Sequence, residues 1–112
     1  MIQSLTPNQM IEKLWCGTVN NFNHDMLEHS LELKVKVLDS GIENNYKVVF
    51  LQISNLEIFY ENPENSWDYV ELTEIAVKKE NNFYNINCDF WSTGEMKLIC
   101  KKIMVNGVEV KE

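Results

Sequence analysis

The side chains with the greatest potential for chemistry are six carboxylates within Leu56–Ile75, part of a longer stretch that contains no lysine or arginine. Two carboxylates that meet in a cleft can perform acid–base catalysis, whereas a dispersed acidic surface attracts basic partners. Large apolar and aromatic side chains are interspersed among them, and aromatic residues ringed by polar groups often anchor protein interfaces. We therefore predict an acidic, aromatic surface that binds a basic protein. It comprises Glu57, Glu61, Glu64, Trp67, Asp68, Tyr69 and Glu71.

No other group of residues has the composition and spacing of a catalytic or metal site. His24 and His29 would not share a face of a strand, and a metal ion would need further ligands from elsewhere. We interpret them as residues near a hairpin turn, in which Asp25 supplies a hydrogen bond. An enzyme would require carboxylates that converge in a pocket with perturbed protonation. We therefore expect a non-enzymatic protein with no metal ion and no cofactor.

The charge of the chain excludes some partners. The formal net charge is −7, and all ten cationic residues are lysine. Nucleic-acid-binding proteins need a positively charged surface, in which arginine commonly binds the phosphate groups. We therefore expect no nucleic-acid binding. We also expect no membrane binding, because no stretch of the sequence approaches the apolar length of a membrane span.

Size and cysteine content indicate one domain in a reducing compartment. A chain of 112 residues matches the usual size of a single domain. The three cysteines form an odd set without CxxC spacing, which argues against a disulfide framework or a zinc site. There is neither a signal-peptide pattern at the start nor an apolar run of about 18 residues. A cytoplasmic location is expected.

The first predicted element is a helix over residues 7–15. Thr6 and Gln9 form a capping box, and Pro7 occupies the first helical position. Gly17 is expected to end the helix. Trp15 falls on the apolar stripe of the helix and is expected to be buried.

The remainder, residues 18–110, predicts β-strands. Apolar residues alternate with polar ones over residues 31–37, as in a half-buried antiparallel strand, and residues 46–53 are apolar on both faces. Whether residues 56–60 continue this second strand or form a new one is open. A turn is expected from Asp39 to Asn45. A change of phase at Thr73-Glu74 within the strand 69–79 predicts a β-bulge.

The final hairpin can be predicted in detail. A three-residue loop, residues 92–94, would pair Phe90 with Met96 and Cys88 with Leu98, so that apolar side chains meet on one face. Cys88 and Cys100 would then be diagonal to each other, and we expect two free, buried thiols. Asn106-Gly107 predicts a tight turn leading to a short edge strand.

These elements predict a mainly β (α+β) fold in one domain, residues 1–112. A short N-terminal helix precedes a six- to seven-stranded, mostly antiparallel meander that is curved or partly closed.

The order of segments resembles a known family. The segments LWCGTVNNFNHD, LELKVKV, YKVVFLQISNLEIF, WDYVELTEI and a KLICKKIMVNG-like tail are similar to the YxiG-like family of small bacterial proteins. More loosely, they resemble the β-rich immunity proteins of polymorphic toxin systems. The resemblance is concentrated in residues 22–25 and 67–73, and it implies an immunity or antitoxin-like role: binding and blocking a toxin domain in the cytoplasm. Together with the acidic surface, it predicts that this toxin domain is basic.

Two alternatives stay open. The curved sheet could enclose a small apolar ligand, with a cavity lined by Trp15, Phe50, Phe90 and Met96. The domain could instead have a purely structural or interaction role.

Overall fold

The computed structural model describes residues 4–60, 70–91 and 94–111. These ranges contain one helix and nine strands, more strands than the six to seven expected. The helix is α1 (Pro7–Leu14). The strands are β1 (Thr18–Asp25), β2 (Ser30–Asp39), β3 (Ile42–Leu51), β4 (Asn55–Tyr60), β5 (Val70–Glu80), β6 (Phe83–Phe90), β7 (Gly94–Cys100), β8 (Lys102–Val105) and β9 (Val108–Glu109).

The predicted capping box of the helix is confirmed. The Thr6 hydroxyl accepts a hydrogen bond from the Gln9 amide, and the Thr6 amide donates to the Gln9 side chain. The helix packs against β5 and β2, and its buried residues are Met10 and Leu14. No helix in the described ranges is long and apolar enough to span a membrane.

The expected burial of Trp15 is wrong, because its side chain is 59% exposed. The helix ends at Leu14, so Trp15 does not continue the apolar stripe formed by Met10 and Leu14.

The helix also ends differently from the prediction. Cys16, rather than Gly17, has the positive φ angle, at 62°. Gly17 is needed for space: a Cβ atom there would lie 2.4 Å from Cγ1 of Val35 and 2.9 Å from Cγ2 of Val37. The absence of a side chain at residue 17 lets the end of α1 approach β2 closely.

We predict that Gly17→Ala lowers the free energy of unfolding by about 2 kcal/mol, as overpacking of a core typically does. Val35→Ala removes the nearer of the two methyl groups that an added Cβ would meet. The double variant should therefore lose less stability in urea denaturation than the sum of the two single variants. An additive loss would show that this contact is not the cause.

All named strands form one sheet in the order β4-β7-β6-β5-β1-β2-β3-β8-β9. Adjacent strands are antiparallel, and within the described residues the end strands β4 and β9 do not pair with each other, so the sheet is not closed. Only Thr18 and Val19 of β1 pair with β5. The sheet therefore consists of two halves, β4–β7–β6–β5 and β1–β2–β3–β8–β9, joined by a short contact.

The additional strands arise where the chain crosses between the halves. Only Lys101 separates β7 from β8, and residues 52–54 separate β3 from β4. In both places the chain bends and pairs with different neighbours on either side. Residues 55–60 therefore form a separate strand, which answers the question that the sequence left open.

Buried side chains from both halves and from the helix form one apolar cluster. Leu33, Val48, Phe50 and Ile103 come from one half, and Ile86 and Met96 come from the other. The two halves therefore face each other across a shared core, and each also has an outer face directed away from it.

Two predicted irregularities are confirmed. The pairing of β5 with β6 shifts register between Leu72 and Glu74, at the expected bulge. Asn106 and Gly107 both have positive φ angles, as a tight hairpin turn requires. The turn predicted from Asp39 to Asn45 is shorter in the structure, since β2 and β3 are joined by Ser40-Gly41 alone.

The predicted register of the β6–β7 hairpin is wrong by two residues. The structure pairs Phe90 with Gly94 and Cys88 with Met96. The same side chains still face the core, because a shift of two preserves the faces of a strand. Cys88 and Cys100 are both buried and free, as expected.

Candidate interaction surface

Only two residues of the predicted surface lie within the described ranges, and the structure does not bring them together. Glu57 is exposed on the end strand β4, whereas Glu71 is half-buried on β5, next to β1. Three strand spacings, about 14 Å, separate β4 from β5. The other predicted residues lie outside the described ranges, and their role stays a prediction: Glu61, Glu64, Trp67, Asp68 and Tyr69.

The structure does assemble an acidic group on the outer face of the β4–β7–β6–β5 half. Glu74 of β5 is paired with Asp89 of β6, and Asp89 is paired with Glu95 of β7. We call these three residues the carboxylate row. Phe59 of β4 is paired with Glu95 and extends the row to the end of the sheet.

The cross-strand placement of these three carboxylates is unfavourable for folding. Directly paired residues on adjacent antiparallel strands have Cβ atoms about 5 Å apart, and like charges in such positions destabilise a sheet. The row contains two such pairs in succession, on three neighbouring strands.

A cavity of about 590 Å³ opens beside the carboxylate row. Asp89 and Glu95 contribute to its wall, and Phe59 and Trp91 supply exposed aromatic surface. Its other lining residues are Tyr60, Thr73, Phe90 and Gly94. The cavity thus combines negative charge with exposed aromatic rings, the two properties predicted for the binding surface.

Backbone contacts hold the rim of the cavity in place. The Trp91 amide donates a hydrogen bond to the Glu71 carbonyl at 2.9 Å, and the Thr73 hydroxyl donates to the Asp89 carbonyl at 3.2 Å. Gly94 lies against β4, since a Cβ atom there would be 1.9 Å from the Phe59 carbonyl oxygen. The aromatic residues are therefore attached to strands with fixed register.

The ammonium group of Lys97 approaches this surface. The Nζ atom of Lys97 lies 3.9 Å from Oε1 of Glu95 and 5.9 Å from the centre of the Phe59 ring. Lys97 is also the cross-strand partner of Glu57. Lys78, on the same outer face, forms an ion pair with Glu80 at 3.3 Å.

The histidines have the surroundings expected for a turn. Both are exposed, and His29 has a positive φ angle of 53° in the connection between β1 and β2. Oδ1 of Asp25 accepts hydrogen bonds from the amides of Leu27 and Glu28 at 3.1 Å each, the turn function expected of Asp25. The described ranges contain no cluster of three or more histidine, cysteine or acidic residues suited to a metal ion.

The four side chains proposed to line an interior ligand cavity lie in different environments. Phe50 and Met96 are fully buried in the apolar cluster, and Phe90 is packed against it. Trp15 is on the surface.

The sequence analysis did not identify four residues as members of one site: Asp89, Glu95, Phe59 and Trp91. Glu74 belonged to the acidic stretch but not to the predicted set. The polar faces of β6 and β7 contain the signal, because Asp89 and Glu95 alternate with buried residues. The pairing of Asp89 with Glu95 would have followed if the predicted register of the hairpin had been shifted by two residues, so that Phe90 pairs with Gly94.

The fold and this surface define a mainly β protein with one capping helix and an acidic, aromatic outer face. The chain belongs to the YxiG-like protein family, whose sequence model matches residues 8–97. A comparison with curated proteins gives no match.

A structural comparison supports the fold alone. The chain is similar to the crystal structure of an uncharacterized protein from Neisseria gonorrhoeae, with a TM-score of 0.62 and 14% sequence identity. The similarity covers 82% of this chain and 91% of the other.

Proposed function

We propose that this protein is a non-enzymatic binding protein of the immunity or antitoxin type, which neutralises a basic toxin domain through its acidic, aromatic outer face. The observation that carries the proposal is the carboxylate row beside the exposed rings of Phe59 and Trp91. Like charges paired across strands reduce stability, so a basic partner that neutralises them would gain binding energy from their placement.

The electrostatics favour a protein partner with a positive surface. The net charge of −7 and the clustered carboxylates attract basic molecules and accelerate their association at low salt. Many toxin domains act on nucleic acid and are basic, and an acidic surface imitates the phosphate field that they recognise. The exposed aromatic rings provide apolar contact area that a charge-only interaction lacks.

Neutralisation of the carboxylate row tests this proposal. The variant Glu74→Gln/Asp89→Asn/Glu95→Gln should bind a hexa-arginine peptide about ten-fold more weakly than the unaltered protein at low salt, the scale of electrostatic enhancement of association. The matched control is Glu12→Gln/Glu28→Gln/Glu43→Gln, which removes three exposed charges elsewhere and changes the net charge equally. Isothermal titration calorimetry at two salt concentrations measures both.

The two outcomes are distinct. If the control variant weakens binding as much as the row variant does, only net charge matters and the surface is a solvated face.

In a second experiment, the unaltered protein, the row variant and the control variant serve as baits for binding partners in the native host. A basic protein retained by the unaltered protein and the control, but not by the row variant, should inhibit bacterial growth when expressed alone. Co-expression of the unaltered protein should restore growth.

A further inference from the structure

The ammonium group of Lys97 occupies a position between the aromatic and acidic parts of the outer face. It contacts Phe59 and Glu95, which both line the cavity, although Lys97 itself does not line it. The surface therefore already binds one cation, and that cation belongs to the protein itself.

The contacts of Lys97 are weakly held. The Nζ–Oε1 distance of 3.9 Å to Glu95 exceeds hydrogen-bonding distance, and 5.9 Å to the Phe59 ring is near the limit of a cation–π contact. The side chains of Lys97 and Glu95 are 48% and 38% exposed, so water and salt screen their attraction. Another cation could replace the ammonium at small cost.

A second carboxylate is available to Lys97. Glu57 is its direct cross-strand partner on β4, and its carboxylate accepts a hydrogen bond from the Asn55 side chain at 3.4 Å. Cross-strand partners lie close enough for a lysine side chain to reach across. Lys97 can therefore leave Glu95 without becoming an unpaired charge.

We propose that, in the free protein, Lys97 occupies the site that an arginine side chain of the partner occupies in the complex. In the complex this arginine stacks on Phe59 and binds Glu95, and Lys97 pairs with Glu57 instead. This inference rests on the proposed function, since it specifies how the basic partner is recognised. A compact ammonium reaches neither contact closely, whereas a planar guanidinium can stack on an aromatic ring and donate to a carboxylate at the same time. Asp89, the next carboxylate in the row, lies beside the same cavity.

The decisive comparison is between two lysines of the same face. Lys97→Met should bind a hexa-arginine peptide about five-fold more tightly than the unaltered protein, because the peptide no longer competes with the internal cation. Lys78→Met is the matched control: it changes the net charge equally, but its ammonium pairs with Glu80. Phe59→Leu should weaken binding of hexa-arginine more than binding of hexa-lysine, because arginine stacks on the ring.

Titration calorimetry of these variants separates the two proposals. Equal tightening by Lys97→Met and Lys78→Met would overturn the role of Lys97 while leaving the binding surface intact. Equal losses for both peptides in Phe59→Leu would overturn the choice of arginine. If the peptides bind, but neutralisation of the carboxylate row has no effect on them, the proposed function itself fails. Absence of binding by every variant would overturn both.

Discussion

Between pH 9 and pH 12, the free energy of unfolding is expected to fall steeply, by at most about 3 kcal/mol per pH unit. The cause is two buried thiols. Burial raises the pKa of Cys88 to about 12, an effect to which the charge of the neighbouring Asp89 adds, and burial also raises the pKa of Cys100 to about 12. In the unfolded chain both thiols should lose their protons near pH 9.

The sign of the effect follows from proton binding. Within this pH range the folded protein retains two thiol protons that the unfolded chain has lost, so rising pH favours unfolding. The stabilising contribution is fully present below about pH 9 and is lost as the pH approaches 12. Each thiol contributes at most about 1.4 kcal/mol per pH unit.

Urea denaturation at pH 8, 9 and 10 checks this prediction. The variant Cys88→Ala/Cys100→Ala should lose less stability per pH unit than the unaltered protein, although its stability at pH 8 is lower because of the smaller side chains. All other ionisable groups are common to both proteins and cancel in the comparison. Parallel pH profiles would show that the two thiols do not control the alkaline transition.

Gly94→Ala is expected to lower the free energy of unfolding by about 3 kcal/mol, since overpacking and backbone strain each cost roughly 1–3 kcal/mol. An added Cβ atom would lie 1.9 Å from the Phe59 carbonyl oxygen and 3.1 Å from the Tyr60 Cα, both backbone atoms that no change of side-chain rotamer can move. The φ angle of Gly94, 150°, is also one that other residues rarely adopt. The substitution should therefore force β4 away from β7.

The matched control is Gly41→Ala. Gly41 also has a positive φ angle, 82°, but an added Cβ atom would meet no atom within 4 Å. Its cost should be limited to backbone strain, about 1 kcal/mol. Similar losses for the two variants in thermal and urea denaturation would mean that the approach of β4 is unimportant.

Gly94→Ala also affects the candidate surface. Phe59 and Tyr60 line the cavity from β4, and Glu95 follows Gly94 in β7. Separation of these strands would move the Phe59 ring away from Glu95 and widen the cavity. The variant should therefore bind hexa-arginine more weakly than Gly41→Ala does, when both are measured under conditions in which they are folded.

Several local structures follow from the sequence alone, because each depends on neighbouring residues. The capping box needs only Thr6 and Gln9, three positions apart, and the tight turn needs only Asn106-Gly107. The bulge in β5 is visible as a change of phase at Thr73-Glu74. The alternating pattern also identifies the core faces of β2, β6 and β7, and hence the buried thiols.

Other features depend on contacts between distant parts of the chain. The β6–β7 hairpin has two registers that place the same apolar side chains on the core face, so alternation cannot distinguish them. In the structure Gly94 is a strand residue beside the Phe59 carbonyl, in space that admits no side chain. Packing against β4, from an earlier part of the chain, is consistent with this register.

The candidate surface is a consequence of the observed register of the β6–β7 hairpin. Asp89 and Glu95 come to lie opposite each other only in the observed register, and Glu74 joins them through the bulged pairing of β5 with β6. The sequence determined that this protein would be acidic, mainly β and built on alternating strands. The tertiary structure decided which carboxylates meet, because cross-strand neighbours are set by register, and in this chain register depends on long-range packing.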